Sequence, residues 1–270
     1  MQHYVINYAS GGLGNRFKPL GSCYNVAKIT NRSLGMTWDL TPACNCKFNV
    51  LFKNNIEIID LKTLNPSDVS IYSEPEWIEH DVRLNGNPNL YNLFLKVGCR
   101  NLSKCNEMLT DTKKYIIVYS NTVLFGFESI QEFIKTLEPI DELKLKISSF
   151  IVGTQINKNV IGVHARGTDF SGMSANSYIP QMRQFNNSFY VCSDSKDIEN
   201  SIKNEFGARV IIREKHYVEK ANKTNCGWVN NILRNTQSVQ DAVIDLYLLS
   251  KTNFQIYNKD SSFAEIAKLL

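Results

Sequence analysis

The chain has 270 residues, of which 43% are hydrophobic and 21% charged, and its 30 Lys and Arg against 26 Asp and Glu leave a net charge of +4. About 150 residues make an average domain, so two are expected, and the composition excludes a disordered chain or a fibrous repeat. The small, dispersed positive charge suits an anionic ligand and excludes a nucleic-acid footprint. No apolar run approaches the ~18 residues of a membrane span. Residues 1–15 lack a basic stretch followed by an apolar one, so no secretory leader and a cytoplasmic location are expected.

Taken in chain order, Tyr4–Tyr8 (YVINY) reads as a strand, followed by the loop Ser10-Gly-Gly-Leu-Gly-Asn15. A helix from about Arg16 to Thr30 carries Phe17, Leu20, Tyr24 and Ala27 at spacings of three and four. Leu34–Trp38 reads as the next strand, completing a strand–glycine loop–helix–strand unit of the kind that opens a parallel sheet. Ile56–Leu61, Val69–Tyr72 and Tyr115–Tyr119 are further strands, while Glu74–Lys114 is not legible. Glu138–Ile151 is a helix, with Pro139 suited to its first turn and its acids placed early. The rhythm then repeats with strands at Val160–His164, Phe189–Cys192, Arg209–Arg213 and Phe254–Tyr257, and helices at Ser195–Phe206, Ser238–Ser250 and Ser262–Leu270. Two α/β halves joined near residues 138–158 follow from this order.

Seven cysteines, an odd number without regular spacing, read as buried thiols in a reducing compartment. Cys44-Asn-Cys46 has no second Cys or His pair nearby, so no metal site is expected. Asn-x-Ser/Thr sequons begin at Asn31, Asn101, Asn186 and Asn222, and carry no meaning without a secretory signal.

Three segments fall where strands of a parallel sheet end, which is where such sheets bind ligands. Gly11-Gly12-Leu13-Gly14-Asn15-Arg16 lets backbone approach a ligand at a helix N-terminus. It matches neither the Walker pattern nor the dinucleotide fingerprint, and a tight turn serving topology alone would look the same. His164-Ala-Arg166 puts two side chains on one strand face. An arginine fork matches phosphate oxygens, with Asp169 able to hold it; the bland alternative is a surface Arg–Asp pair beside a core histidine. Ser238 with Asp241 suits a helix cap. Asp245 sits between Ile244 and the apolar run Leu246–Leu249, so its carboxylate needs a partner or a ligand such as a guanine edge. Ser261-Ser262 opens a helix and offers hydroxyl and N–H groups to an anion, or simply caps it. Trp38, Trp77 and Trp228 could stack on sugar rings, although core packing is the commoner fate of tryptophan. None of the twelve aspartates has another two residues away.

Together GGLGNRF (residues 11–17), WDLTPACNCKFNVLF (38–52), VHARGTD (163–169), FYVCSDS (189–195), QDAVIDLYLLS (240–250) and SSF (261–263) resemble, in order and rough spacing, the fucosyltransferase superfamily of α1,6-, nodulation and protein O-fucosyltransferases. The resemblance covers most of the second half and the first ~50 residues of the first. It implies an α/β fold of the GT-B class, two Rossmann-like domains facing across a cleft. Residues 1–145 would form the acceptor-side domain and 146–270 the nucleotide-sugar domain. The activity implied is an inverting, metal-independent transfer of fucose from GDP-fucose to a glycan or glycoprotein acceptor, with no cofactor. Arg166 would contact the donor β-phosphate, with His164 lining the nucleotide site, Asp245 contacting guanine, and Ser261 and Ser262, next to Phe263, holding phosphate. Gly12, Gly14 and Asn15 would close over the donor with Arg16 beside them. Asp39, Glu74 and Glu76 are the candidates for a base. The chain departs from α1,6 members at Gly167, where a second arginine is usual, and at Ser174, where a glutamate is usual. The same scaffold with another nucleotide sugar (a UDP- or GDP-linked pentose or deoxyhexose), or a non-catalytic nucleotide-sugar or glycan binder, are the competing readings.

Overall fold

The computed structural model describes residues 2–85, 88–167, 173–217 and 234–270; Asp169, Cys226, Trp228 and the sequon at Asn222 lie outside them. The chain forms two compact units, Met1–Thr41 with Lys53–Glu138, and Pro42–Phe52 with Pro139–Leu270.

The first unit contains β1 (Tyr4–Ala9), α1 (Leu13–Ile29), β2 (Ser33–Trp38), β3 (Glu57–Ile58), β4 (Val69–Tyr72), α2 (Pro75–Asn85), α3 (Asn89–Val97), β5 (Tyr115–Val118) and α4 (Phe127–Thr136). Its described strands form one parallel sheet in the order β3-β2-β1-β5-β4. Every residue of β1 is buried, as a strand covered on both faces must be, and this explains its apolar run, broken only by the buried Asn7. The edge strand β3 is exposed and keeps only two of the residues expected to be strand. The segment left unread contains α2 and α3. The unpredicted α4 buries Ile130, Phe133 and Ile134 at helical spacing, a periodicity that was present in the sequence.

The second unit contains α5 (Asp141–Thr154), β6 (Ile161–Ala165), α6 (Ile179–Met182), β7 (Phe189–Ser193), α7 (Lys196–Phe206), β8 (Val210–Ile211), α8 (Thr236–Ser250), β9 (Asn253–Tyr257) and α9 (Ser262–Leu269). Its described strands are again parallel, in the order β8-β7-β6-β9. Both sheets reverse their strand order once, between β1 and β5 in the first and between β6 and β9 in the second. Carboxyl ends at such reversals are the ligand crevices of open α/β sheets.

Three local expectations are corrected. The division expected after residue 145 would cut α5, and Pro42–Phe52 packs with the second unit. There Ile140 N donates to Leu51 O at 3.0 Å, while Asn45 N donates to Arg234 O and Arg234 N to Pro42 O at 2.9 Å each. Cys44, Cys46, Phe48, Leu51 and Phe52 are buried, and this apolar load explains why so short a segment is held. Pro139 bridges Phe52 and precedes α5 instead of opening it. Finally, α8 begins before Ser238, at a cap where the Asn235 side chain accepts from Ser238 N at 2.9 Å.

Candidate active site

At the reversal in the second unit, β6 delivers His164 and the α9 N-terminus delivers Ser261. The Ser261 hydroxyl lies 3.2 Å from His164 Nδ1 and accepts from Ala264 N at 3.3 Å, capping α9. Phe263 stacks on the imidazole with centroids 4.8 Å apart. Desolvation pushes the His164 pKa down to about 4; the Asp194 carboxylate opposes this, while Arg166 and Lys215 reinforce it. The ring is therefore neutral at pH 7. With Nδ1 turned to Ser261, its other nitrogen can serve as a single donor or acceptor. Ser262 is half-buried in the first turn of α9, where main-chain N–H groups have no intrahelical partner.

Arg166 follows β6 directly. Its carbonyl accepts from the Tyr178 hydroxyl at 3.0 Å, and the next amide, Gly167 N, donates to Asp194 Oδ1 at 2.8 Å. These main-chain ties fix where the guanidinium starts without using it. A Cβ at Gly167 would stand 2.3 Å from Ile198 Cδ1 and 3.1 Å from Ser195 Cβ, so a second arginine here would require the Ile198 side chain to turn away and Ser195 to yield by a few tenths of an ångström. Ser174 caps the short turn Ala175–Ser177. Asp194 was not singled out in the sequence; besides holding Gly167 it pairs with Arg234 at 3.8 Å.

Asp245 is only 6% exposed, and the structure puts it in a buried charge network. Its Oδ1 accepts from the Tyr190 hydroxyl at 2.8 Å and from Arg213 Nε at 3.1 Å, and its Oδ2 accepts from Lys215 Nζ at 2.7 Å. Arg213 also binds Asp241 at 2.8 Å, and Lys215 also binds Glu199 at 2.8 Å. Burial alone would raise the Asp245 pKa, but Lys215 and Arg213 hold it below the usual carboxylate range. Three donors thus engage this carboxylate inside the protein. Drawing Arg213 and Lys215 inward also explains why β8 ends at Ile211, short of the strand expected through Arg213.

In the first unit Gly11 has φ +75°, with its turn closed against the Asn15 side chain; only glycine adopts that conformation without strain. Gly12 caps α1, and Gly14 is buried inside it. Arg16 is fully buried. Its Nε donates to Gly11 O at 2.7 Å and its Nη2 to Asp39 O at 2.8 Å, with the guanidinium 4.6 Å from the Trp38 ring. Arg16 thus acts as a strut that ties the glycine loop to the end of β2, and it packs against Trp38 as well. Arg16→Ala should destabilise the protein by about 3 kcal/mol in a denaturant titration, since each buried carbonyl left unpaired costs about 1–3 kcal/mol. A loss below about 1 kcal/mol would contradict the strut.

Asp39 follows β2, half-buried, and its charge, after burial and Asp81, helps raise the Tyr8 pKa. Tyr8 donates to Asp81 of α2 at 2.8 Å, and Asp81 accepts from Ser10 at 2.7 Å and from Tyr119 at 3.3 Å. The sequence reading missed Asp81 because it lies in the illegible segment. Trp77, one turn earlier in α2, stands edge-on to Tyr119 with centroids 6.4 Å apart. Of the other candidate bases, Glu74 accepts from the Asn101 side chain and Glu76 is exposed in the first turn of α2.

Among the described residues no group of three or more His, Cys, Asp or Glu is arranged to hold a metal ion, and no helix is long and apolar enough to cross a membrane. Neither a family model nor a curated protein sequence matches the chain. Solved structures do. The NodZ α-1,6-fucosyltransferase soaked with GDP-fucose is 16% identical at TM-score 0.67, covering 100% of this chain and 93% of that one. The fucosyltransferase NodZ from Bradyrhizobium is 15% identical at TM-score 0.69, over 99% and 93%. POFUT1 in complex with GDP-fucose is 12% identical at TM-score 0.56, over 99% and 93%. At these identities the shared property is the fold, an α/β architecture of parallel sheets.

Proposed function

We propose that this chain is a glycosyltransferase that moves fucose from GDP-fucose to a hydroxyl group of a glycan acceptor, inverting C1 and using no metal cofactor. The observation that carries the reading is the grouping of His164, Ser261 and Phe263 beside Arg166 at the strand-order reversal of the second sheet. Support comes from the fold, which is that of fucosyltransferases solved with GDP-fucose.

In this reading the acceptor oxygen bonds to the sugar C1 as the bond from C1 to the β-phosphate oxygen breaks. The bonding electron pair leaves with GDP. Negative charge grows on the β-phosphate in the transition state, and Arg166 binds it more tightly as it grows, which is what lowers the barrier. Neutral His164 offers its second ring nitrogen to a phosphate oxygen, and the open N–H groups of α9 add partial positive charge. Asp39 takes the acceptor proton.

A thermal-shift panel with GDP, UDP and dTDP tests the donor. A ligand at a hundred times its Kd stabilises by about 2.7 kcal/mol, so GDP should raise Tm clearly and the other two should not; the reverse order would overturn the donor assignment. Mass spectrometry of products from GDP-fucose and simple glycans should show a fucose added, equally with and without EDTA.

A further inference from the structure

We propose that Ser261 is a positioning residue for the nucleotide sugar's diphosphate: its hydroxyl donates to His164 Nδ1, locks the imidazole in the Nε2–H tautomer, and so presents an N–H to the phosphate oxygens. The inference rests on the reading of this site as the nucleotide-sugar site.

His164 lies opposite Tyr257 where β6 and β9 run side by side, and the chain leaving β9 returns beside the ring at Ser261. That turn is closed by Ser261 N, which donates to Asn258 O at 3.0 Å, and by Asp260 N, which donates to Asn258 Oδ1 at 2.9 Å. Ser261 is 1% exposed. Its carbonyl accepts from Glu265 N at 3.1 Å and its hydroxyl accepts from Ala264 N at 3.3 Å. Main chain and side chain are thus both held, with the hydroxyl 3.2 Å from His164 Nδ1.

The hydroxyl proton decides the direction of that contact. A serine hydroxyl has one proton to donate and two lone pairs to accept with. One lone pair receives the Ala264 N–H, and among the described residues His164 Nδ1 is the acceptor within reach of the proton. Were Nδ1 to carry a proton instead, the serine proton would be buried without an acceptor, which is costly. Turning the ring over would set a C–H against the hydroxyl and strand the same proton, and Phe263 holds the ring plane by stacking on it at 4.8 Å. Burial keeps the ring neutral near neutral pH; Arg166 and Lys215 oppose its protonation as well, while Asp194 and Asp245 favour it. A neutral ring has a single N–H, which then sits on Nε2. An N–H attracts a phosphate oxygen where a bare nitrogen lone pair would repel it. The same hydroxyl caps α9, so one side chain arranges both the helix start and the histidine.

The test reads the tautomer from long-range ¹H–¹⁵N correlations of the histidine rings in the ligand-free protein near neutral pH. The chain has four histidines, and His164→Gln identifies the signals concerned. Wild-type His164 should show Nε2 protonated and Nδ1 bare; a protonated Nδ1 would overturn the proposal. Ser261→Asp keeps a good helix cap but offers an acceptor without a proton, so Nδ1 should become protonated, and a bare Nδ1 in that variant overturns the proposal too. Ser261→Gly removes the hydroxyl at little cost to the cap. Its Nδ1 resonance should move; if Ser261→Asp does not fold, an unmoved resonance in Ser261→Gly overturns the proposal. In GDP titrations Ser261→Gly should bind about tenfold more weakly, the scale of one hydrogen bond to a charged group. Ser261→Thr, which keeps both hydroxyl and cap, should restore the affinity. Equal affinity in the wild type and Ser261→Gly would overturn the link to the diphosphate. A wild-type protein that binds no GDP would sink the nucleotide-sugar reading, while the ring spectra still decide the tautomer.

Discussion

Arg166→Ala is expected to lower fucose transfer by about 10²–10³-fold, the usual loss when one preorganised donor to a developing charge is removed. Two local anchors that run through the main chain are kept: Tyr178 donates to the Arg166 carbonyl, and Gly167 N donates to Asp194. Truncating the side chain touches neither. The loss should fall more on kcat than on GDP affinity, because the guanidinium is asked to bind charge that appears only as the sugar–phosphate bond breaks. Turnover near wild type in a folded variant would remove Arg166 from the mechanism. An equal loss in GDP affinity alone would make it a ground-state ligand.

The largest stability effect is expected at Asp245. Asp245→Ala should cost about 3–5 kcal/mol, the range seen when one partner of a buried ion pair is removed and the other is left uncompensated. Here the abandoned groups are Arg213 and Lys215, whose charged side chains are 10% and 5% exposed. The pH dependence carries a second signature. The Asp245 pKa is held below its ordinary value, so its contribution is complete above the usual carboxylate range near 4 and fades as pH falls through the lowered folded value. Glu199 is shifted the other way, raised chiefly by burial, so its share opposes this trend and diminishes as pH rises above the ordinary glutamate value. Urea titrations at pH 7 and at about pH 3 should show the wild-type protein losing stability on acidification. Asp245→Asn should lose less, because it has no charge there to neutralise. A variant whose acid sensitivity equals the wild type's would assign that sensitivity elsewhere.

The legibility of the chain followed the range of the forces involved. β1, α1, β2 and the strands and helices of the second half, apart from the short α6, were read from local pattern, a property of consecutive residues. α4 carried the same signal in Ile130, Phe133 and Ile134 and was overlooked. α2 was illegible because Trp77 and Asp81, which share one of its faces, are polar or amphipathic groups whose partners Tyr8, Ser10 and Tyr119 lie far away in sequence. The short HxR and SSF segments marked a shared neighbourhood correctly, since His164, Ser261 and Phe263 meet.

Roles were harder to read than places. Arg16 and Asp245 both stand in segments that drew attention for ligand binding, and both are engaged inside the protein. A charged group's role depends on what surrounds it, and the groups that claim these two, Gly11 and Asp39 for Arg16 and Arg213 and Lys215 for Asp245, are assembled only by folding. The excursion of Pro42–Phe52 into the second unit is of the same kind. Strand alternation, helix caps and the order of the elements depend on neighbours a few residues apart, so the sequence alone determined the parallel α/β class and which loops end strands. Which carboxylates are buried and which arginine is a strut depend on desolvation and on partners assembled by folding, and only the tertiary structure decided them.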